Sequence, residues 1–340
     1  MKLQQQMQLQ KVLKSTTLSK TVYLGLSQNL GRQPFFYQQG EKEVSMGANV
    51  YRNKKPLAFF LIPAFTFMVV FLHYPFVMNI LNSFQQIGGL AAESKGFLDP
   101  WYSNYVEMFQ DKNMHTALKN TVVLMACTVI FQVGIALVLS IMVDQIRVGA
   151  KFFRVVYFFP IVISATALGL MFNLIFLRDK GMLNQFLELF GQTDLIDWKD
   201  QSRALVTMLM PVMWQYVGFY FVILITGLNN ISPDLYEVAA IDGASRWQRI
   251  RYLTLPLMHN VICSCVVLAV TGALKAFDLP WVMFPKGMPL NSTWLTSTYM
   301  YYHAVESRNT DYGCAIAVFI VVLGIISSKV INAIFKEKDY

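Results

Sequence analysis

Charged residues are scarce in this sequence. Asp, Glu, Lys and Arg make up 14% of its 340 residues, whereas 55% of the residues are hydrophobic. Soluble domains usually contain about 25% charged residues, because charged side chains cover their surfaces. The low charge therefore excludes a soluble enzyme and a disordered chain, and it indicates a protein that lies in a membrane.

The missing charge is concentrated in long blocks. The blocks without Asp, Glu, Lys or Arg are 56–92, 120–143, 155–177, 204–233, 252–274 and 312–328. A helix needs about 20 mostly apolar residues to cross the hydrocarbon layer. The pattern therefore predicts an all-α polytopic membrane protein with six transmembrane helices. We place these spans near 57–82, 117–143, 152–177, 204–228, 260–283 and 312–335.

Cysteine is also scarce, and no nucleotide-binding motif is present. The four cysteines, Cys127, Cys263, Cys265 and Cys314, all lie in apolar segments. Cys263 and Cys265 would be about 200° apart on a helix, which suits neither a metal nor a disulfide. The sequence has no G-x-x-x-x-G-K-[ST] motif and no catalytic pattern of paired carboxylates, Cys–His or Ser–His–Asp. We therefore expect a transport subunit that is not an enzyme.

The positive charge is distributed unequally between the two sides of the predicted spans. Of the 28 Lys and Arg, 18 lie in the N-terminal tail, the C-terminal end and the loops on their side, and 8 lie in the opposite loops. This excess predicts that both termini are cytoplasmic. The net charge of +8 therefore reflects topology, and no compact basic face suggests nucleic acid. Residues 1–55 are polar and glutamine-rich and predict a flexible cytoplasmic tail. No signal peptide is expected, because the first apolar block has full spanning length.

A few polar residues remain within the spans. They are Asn173 in the third span, Gln215, Tyr216 and Tyr220 in the fourth, and Thr271, Lys275 and Asp278 in the fifth. One interpretation is hydrogen bonding between helices. The other is a polar lining for a hydroxyl-rich solute, which the nearby Phe219 and Trp281 favour slightly. At i and i+3 of one helix, Lys275 and Asp278 could neutralise each other.

The segment between the fourth and fifth spans is too structured for a simple linker. Ser232-Pro233 predicts the start of a short helix, with Asp234 and Glu237 complementing its dipole. Asp242-Gly243 predicts its end, because glycine permits a left-handed turn. Ser245-x-x-Gln248 is a capping box that opens a second helix. Two short helices on the cytoplasmic side are typical of a docking element.

This segment also resembles a known family. Glu237-Val-Ala-Ala-Ile-Asp-Gly-Ala-Ser-Arg-Trp-Gln, continuing to Leu253-Thr-Leu-Pro256, is similar to the EAA loop of ABC importer permeases. The best match is the carbohydrate-uptake branch, which includes the MalF-like subunits. The family pattern is E-A-A, a later glycine and I-x-L-P. The sequence departs from that pattern at Val238 and Leu253, both conservatively in size.

The resemblance extends over roughly residues 57–335. Further matching segments are Arg154 through Pro160 to Gly169, Asp179-Lys-Gly181-Met-Leu-Asn184, Trp214-Gln215 with Gly218, Leu235-Tyr236 and Phe277-Asp278-Leu279. The usual Gly-Gly-Gly-Pro after the fifth span is missing. Phe284-Pro-Lys-Gly-Met-Pro289 stands in its place.

The resemblance implies a type-1 permease domain over residues 56–340, with the EAA loop at 232–257. It implies one half of a pore, completed by a second homologous permease subunit in a heterodimer. A cytoplasmic ATPase dimer would hold ATP and Mg, and an extracytoplasmic binding protein would deliver sugar. The chain itself would bind no cofactor. The location implied is the bacterial cytoplasmic membrane.

The family's functional positions transfer to this sequence in two sets. The ATPase-coupling set is Glu237, Ala239, Asp242, Gly243, Ala244, Arg246, Leu255 and Pro256. The substrate-path set is Gln215, Tyr216, Phe219, Tyr220, Gly272, Ala273, Lys275, Ala276 and Asp278.

Other functions stay open at this point. Within the class, a permease for glycerol-phosphate or an acidic sugar would place the anion at Lys275. From another class, an ion-gradient-driven secondary transporter would usually show repeated halves and intramembrane acids, of which only Asp278 is clear here. A purely structural scaffold would leave the EAA loop unexplained.

Overall fold

A computed structural model describes residues 54–89, 92–146, 149–192 and 194–335. Most of the predicted tail, residues 1–53, lies outside the described residues. Regular structure in the described ranges is helical, apart from one isolated antiparallel bridge between Gln85 and Phe97. The chain divides into two units, Met1–Pro75 and Phe76–Tyr340.

The described part of the first unit is an apolar helix. It comprises α1 (Lys54–Met68), a π-helical turn (Val69–His73) and the beginning of α2 (Tyr74–Asn82). The side chains of residues 58–75 are all exposed, on every side of the helix. A helix that is apolar all round is typical of a segment surrounded by lipid.

The second unit contains the remaining helices. In chain order they are α3 (Ser103–Gln110), α4 (Lys112–Cys127), α5 (Gly134–Asp144), α6 (Ala150–Val162), α7 (Ala165–Ile175), α8 (Met182–Glu188), α9 (Ala204–Asn229), α10 (Pro233–Ile241), α11 (Arg246–Arg249), α12 (Leu255–Leu257), α13 (His259–Leu274), α14 (Asp278–Met283), α15 (Thr296–Tyr301) and α16 (Thr310–Ile334). Three π-helical turns, Thr128–Val133, Ile250–Thr254 and Tyr302–Glu306, continue α4 into α5, α11 into α12, and α15 toward α16.

The helices confirm an all-helical membrane fold. Five segments of the described chain are long and apolar enough to cross a membrane: Ala58–Asn82, Lys112–Asp144, Ala204–Asn229, His259–Met283 and Thr310–Ile334. The pair α6 and α7 would make a sixth span, but the two helices meet at 92°. The structure therefore supports five spans, or six if the bent pair is one span.

The third predicted span, 152–177, is not one straight helix. It breaks at Ile163–Ser164, where both residues have extended ψ angles of 135° and 132°. Pro160 lies three residues before the break, and a proline inside a helix removes a hydrogen bond and clashes with the preceding turn. Pro211 lies inside α9 in the same way, yet α9 continues to Asn229. Packing of α9 against α5 and α6 supports the helix there.

α9 is the central helix of the second unit. It packs against α5 and against α6. Elsewhere in the unit, α7 packs on α14 and α13 packs on α16. Gly218 allows the close contact with α6, because a Cβ at this position would lie 1.9 Å from the carbonyl oxygen of Tyr157. The two largest hydrophobic clusters both include residues of α9. This packing holds the helices that form the candidate site.

The Asp111 cluster (Asp111, Tyr299, His303 and Tyr312) fastens the end of the unit where α4 and α16 begin. The carboxylate of Asp111 accepts a hydrogen bond from the Asn113 backbone N–H at 2.8 Å, one from the Tyr312 hydroxyl at 3.0 Å and one from the Tyr299 hydroxyl. Burial raises the pKa of Asp111, but these hydrogen bonds outweigh burial and hold the pKa below its usual value. The His303 ring stands edge-on to both tyrosine rings.

Candidate functional site

The segment between α9 and α13 folds as two short helices joined by a left-handed turn. α10 ends at Ile241, and Gly243 follows with φ of +77°. The N–H of Ala244 donates to the carbonyl of Ala239 at 2.9 Å, and the N–H of Gly243 donates to that of Ala240 at 3.1 Å. These two bonds form a Schellman motif, which ends α10 at the predicted glycine.

α11 begins with the predicted capping box. The Ser245 backbone N–H donates to the Gln248 side chain at 2.7 Å, and the Gln248 N–H donates to the Ser245 hydroxyl at 3.3 Å. Pro233 is in the first turn of α10, also as predicted. The prediction that Glu237 complements the dipole at the start of α10 is wrong. Glu237 is the fifth residue of this helix, and only Asp234 lies in its first turn.

The coupling loop, defined here as residues 232–257, exposes most of its outer surface. α10 has no buried residue, and Glu237, Asp242 and Arg246 are exposed. Ala239, Ala244, Leu255 and Pro256 are half-buried. Large apolar side chains are exposed beside the charges, namely Leu235, Val238, Ile241, Trp247 and Tyr252. Several large apolar side chains exposed on one short segment are typical of a site for another protein.

A second candidate site is a cavity of about 220 Å³ between α9, the junction of α13 with α14, the start of α7 and the π-helical turn of α4–α5. Eight of the nine predicted substrate-path residues line it: Gln215, Tyr216, Tyr220, Gly272, Ala273, Lys275, Ala276 and Asp278. Phe219 is not among the lining residues. Its ring packs instead against that of Tyr220, with 5.2 Å between centroids.

Two buried glutamines supply amide groups at this cavity. Gln132 is 2% exposed and donates to the carbonyl of Val212 at 2.8 Å. Gln215 is 4% exposed, and its amide has no hydrogen-bond partner among the residues that the structure describes. Buried polar groups are nearly always hydrogen-bonded. The Gln215 amide is therefore available to a solute or to water in the cavity.

The fifth span is interrupted where it meets the cavity. α13 ends at Leu274, Lys275 caps it, and α14 begins at Asp278. Pro280 is the third residue of α14, in the first turn of a helix, where its missing N–H costs little. Since α13 ends before Asp278, the predicted i,i+3 helical pairing of Lys275 with Asp278 is wrong. Within the described ranges the two side chains form no ion pair, and both are exposed.

Other polar residues of the spans have structural partners. Asn173 donates to the carbonyl of Val282 at 3.2 Å and accepts from the Lys199 ammonium at 2.8 Å. Thr271 donates to the carbonyl of Val267 in its own helix. For Asn173, hydrogen bonding between helices is the better interpretation, whereas the bond of Thr271 lies within one helix and supports neither interpretation.

Sequence reasoning missed several residues of the cavity. Thr128, Gln132, Ala165 and Phe277 also line it. Gln132 could have been found, since it is an uncharged polar residue in the second predicted span. The π-helical turn that contains Thr128 and Gln132 has no sequence signal of its own, and neither has the contact of α7 with the cavity.

The sequence also matches a known protein family. The family described as "Binding-protein-dependent transport system inner membrane component" matches residues 132–338. The chain belongs to this family. The match contains the coupling loop and every lining residue of the cavity except Thr128.

Named relatives of this inner membrane component are permeases. It is 31% identical over 291 residues to "Probable ABC transporter permease protein YurN" of Bacillus subtilis, with 84% of this chain and 98% of that protein covered. It is 30% identical over 282 residues to "Diacetylchitobiose uptake system permease protein NgcF" of Streptomyces coelicolor, with 77% of this chain and 80% of that protein covered. The predicted membership of the ABC permeases is confirmed, and the chain is a transport component.

A solved structure shares the fold of this inner membrane component. It is a chain of the "bacterial ABC transporter involved in the import of the acidic polysaccharide alginate", with a TM-score of 0.73 and 21% sequence identity. The match covers 86% of this chain and 98% of that one. At 21% identity, this structural similarity shows that the two chains share a fold and shows nothing about their substrates.

Proposed function

We propose that this chain forms half of the translocation pore of an ATP-driven importer for oligosaccharides or sugar derivatives. The observation that carries the proposal is the cavity at the interrupted fifth span. There the amide of Gln215, the side chains of Tyr216 and Tyr220 and the carboxylate of Asp278 line a space bordered by small residues. The diacetylchitobiose permease among the relatives supports a saccharide as the solute.

The cavity has the chemistry that a sugar requires. Gln215, Tyr216, Tyr220 and Asp278 offer donors and acceptors to hydroxyl groups, and Gly272, Ala273 and Ala276 have side chains too small to fill the space between them. The ring of Phe277 lines the cavity and stacks on Trp281 with 5.6 Å between centroids. Aromatic faces next to hydrogen-bonding groups suit the apolar face and the polar edge of a sugar ring.

The coupling loop suits a partner that hydrolyses ATP. We propose that Glu237, Asp242 and Arg246, with the exposed apolar side chains beside them, contact a cytoplasmic ATPase dimer that holds ATP and Mg. Ala239, Gly243, Ala244, Leu255 and Pro256 would shape the loop for this contact. Such a loop transmits a change only if its contacts differ between the two states of the transporter.

The assembly and orientation belong to the same proposal. A second homologous permease subunit would complete the pore, and a binding protein outside the membrane would deliver the solute. The unequal distribution of Lys and Arg supports cytoplasmic termini, and thus a cytoplasmic coupling loop. We propose residues 56–340 as the permease domain and residues 1–55 as a cytoplasmic tail.

Uptake by the reconstituted assembly tests the proposed solute path. Gln215→Ala removes the unpartnered amide, and we expect saccharide uptake to fall about tenfold or more, since one well-placed polar contact is worth about 1.4 kcal/mol or more. Thr226→Ala is the matched control, because Thr226 lies on α9, bonds only to the carbonyl of Val222 and does not line the cavity. Normal uptake by Gln215→Ala would contradict the assignment of the path.

Two further measurements test the class of solute and the energy source. With neutral and acidic saccharide panels, an equal loss by Lys275→Ala on both panels would remove the case for an anion at Lys275. Selective loss on the acidic panel would establish an acidic substrate. Uptake by the purified chain alone, driven by an ion gradient without an ATPase, would replace the importer proposal with a secondary transporter.

A further inference from the structure

A second cavity lies on the membrane-facing side of the coupling loop. It has a volume of about 390 Å³ and is bounded by the end of α5, the end of α9, α10 and α11. Its lining residues are Ile141, Asp144, Gln145, Leu228, Tyr236, Arg246, Arg249, Ile250 and Thr254. Because the ends of two membrane helices form its floor, this cavity lies between the coupling loop and the spans. The solute cavity described above has a different set of lining residues.

The charges around this cavity are mostly positive and are not paired with each other. Arg246 and Arg249 line it together with Asp144, and the charge of Arg154 on α6 acts on the Asp144 carboxylate. Two guanidinium groups and one carboxylate thus line the cavity, and a third guanidinium group lies near that carboxylate. Over the part of the chain that the structure describes, none of these four side chains forms an ion pair. The cluster keeps a net positive charge.

Two of these guanidinium groups have buried donors without acceptors. The Nε atoms of Arg154 and Arg249 are both inaccessible to solvent, and neither has a hydrogen-bond partner within the described ranges. A buried donor on a charged group is costly when no acceptor satisfies it. Arg249 lines the cavity and carries an unsatisfied donor, and an anion in the cavity would compensate the charge of its guanidinium group.

The local structure holds the cavity open. The hydroxyls of Tyr236 and Thr254 are 3.0 Å apart, so α10 is tied to the π-helical turn that follows α11. Thr254 also donates to the carbonyl of Arg249 at 3.4 Å. Both hydroxyls lie in the cavity lining, and they fix the backbone from which Arg249 extends. The positive groups are therefore held in place without an anion.

We propose that this cavity binds a phosphate group, which Arg246 and Arg249 hold from the coupling loop, with Arg154 adding positive charge from α6. Guanidinium groups bind phosphate through paired, charge-assisted hydrogen bonds. The phosphate comes either from the headgroup of an anionic phospholipid or from a soluble phosphate compound. A basic pocket at the cytoplasmic ends of membrane helices favours a lipid headgroup. This placement in the inner leaflet rests on the orientation proposed above, whereas binding itself does not.

Binding by the purified importer complex tests the proposal. The complex, in neutral detergent, is titrated with phosphatidylglycerol, with phosphatidylcholine and with inorganic phosphate. Native mass spectrometry counts retained lipid, and the thermal unfolding midpoint reports stabilisation by either probe. We expect phosphatidylglycerol to bind and stabilise the wild type, and phosphatidylcholine to do neither. Stabilisation by inorganic phosphate alone would also support the site and would identify a soluble source.

Variants of the cluster separate this site from general attraction of anions. Arg249→Gln is expected to weaken binding of the effective probe about tenfold or more, because it removes a charge-assisted contact. Arg251→Gln is the matched control, since Arg251 lies in the same loop but does not line the cavity, and it should bind like the wild type. Asp144→Asn should bind about two- to fivefold more tightly, because it removes the opposing charge. That gain keeps the test decisive if Arg249→Gln fails to fold.

Several results would overturn the proposal. They are no binding of phosphatidylglycerol or phosphate, equal binding by Arg249→Gln, or weaker binding by Asp144→Asn. Loss of the ATPase subunits from Arg249→Gln with unchanged lipid binding would also overturn it, in favour of a protein contact. Binding is measured without transport, so these results leave the proposed transport function untouched. Normal uptake by Gln215→Ala, which would contradict the proposed solute path, would likewise leave this site untouched.

Discussion

The two ends of the second unit satisfy their polar groups to different degrees. Around the Asp111 cluster, one carboxylate accepts three hydrogen bonds, and Asn120 donates to the carbonyls of Ser292 and Trp294. At the coupling loop, α10 has no buried residue, and Arg249 has a buried donor without an acceptor. At the first end the chain by itself satisfies the Asp111 carboxylate, and only the His303 Nε2 of this cluster is buried without a partner within the described ranges. The second end offers surfaces and donors that other molecules can complete.

Asp111→Ala is expected to have the largest effect on stability. It removes the cap of α4, worth about 1 kcal/mol, and leaves two tyrosine hydroxyls without their acceptor, at about 1–3 kcal/mol each. We therefore expect a loss of about 3 kcal/mol in the free energy of unfolding, measured by denaturant titration of the purified protein. Glu93→Ala, at an exposed acid, should change little. A small loss in Asp111→Ala would show that this end is less tightly fastened than its contacts indicate.

The Asp111 cluster also makes the stability of the folded protein depend on pH in a predictable direction. The pKa of Asp111 is lowered in the folded protein. The contribution of its carboxylate to stability is therefore complete when the pH is above the pKa of the unfolded chain, about 3.9. The contribution is lost as the pH falls through the folded pKa. We expect the difference in stability between wild type and Asp111→Ala to stay constant from neutral pH to about pH 5 and to shrink in stronger acid. A difference that already shrinks above pH 5 would contradict a lowered pKa.

Glu237→Lys tests the coupling loop. At this end of the unit we expect a substitution to change the binding of a partner and not the folding of the chain. Glu237 is exposed, so the reversal of charge should leave membrane insertion and unfolding unchanged. We expect uptake to fall about tenfold or more, because like charges across an interface cost several kcal/mol. Glu237→Gln should lose less. Uptake at the wild-type level in Glu237→Lys would remove Glu237 from the docking surface.

Gly243→Val tests the turn between α10 and α11. A Cβ on Gly243 would meet no atom within 4 Å, so any effect comes from the φ of +77° alone. A β-branched residue is unfavourable there by about 1–2 kcal/mol. Reduced assembly with the ATPase is therefore expected, measured by co-purification. Gly243→Asn is the matched variant and should assemble nearly normally, since asparagine tolerates the left-handed region.

Glu306→Gln should have the smallest effect. Glu306 forms an exposed ion pair with Lys286, with 3.0 Å between the nitrogen and the oxygen. Exposed pairs contribute little to stability, because water and salt screen them. We expect no measurable change in the unfolding midpoint at physiological salt. A clear decrease would mean that the segment between α14 and α16 depends on the pair.

The membrane class and the coupling loop could be predicted because their signals are local. The apolar blocks have the length of a span, and Gly243 and the Ser245–Gln248 box act over a few neighbouring residues. The shared surface of Gln215, Tyr216 and Tyr220 on α9 was also predictable, because residues at helical spacing share a face, whereas Phe219 does not line the cavity. Their role in binding a solute stays a proposal.

The breaks in the membrane helices could not be predicted from local signals. Pro160 and Pro211 both lie inside apolar blocks, but only α6 ends near its proline. A proline inside an apolar block therefore does not by itself say where a membrane helix ends. In the same way, Lys275 and Asp278 are three residues apart in sequence, but the end of α13 between them removes their helical relationship.

The sequence by itself thus determined that the protein lies in a membrane, and it located the loop that we propose as the contact with the ATPase. Hydrophobicity, helix caps and glycine turns act over short distances, so they can be read along the chain. Only the tertiary structure brought Gln132 and Gln215 to one cavity, and Asp144, Arg246 and Arg249 to another. Such groupings depend on which helices pack together, and that packing is decided by contacts between residues distant in sequence.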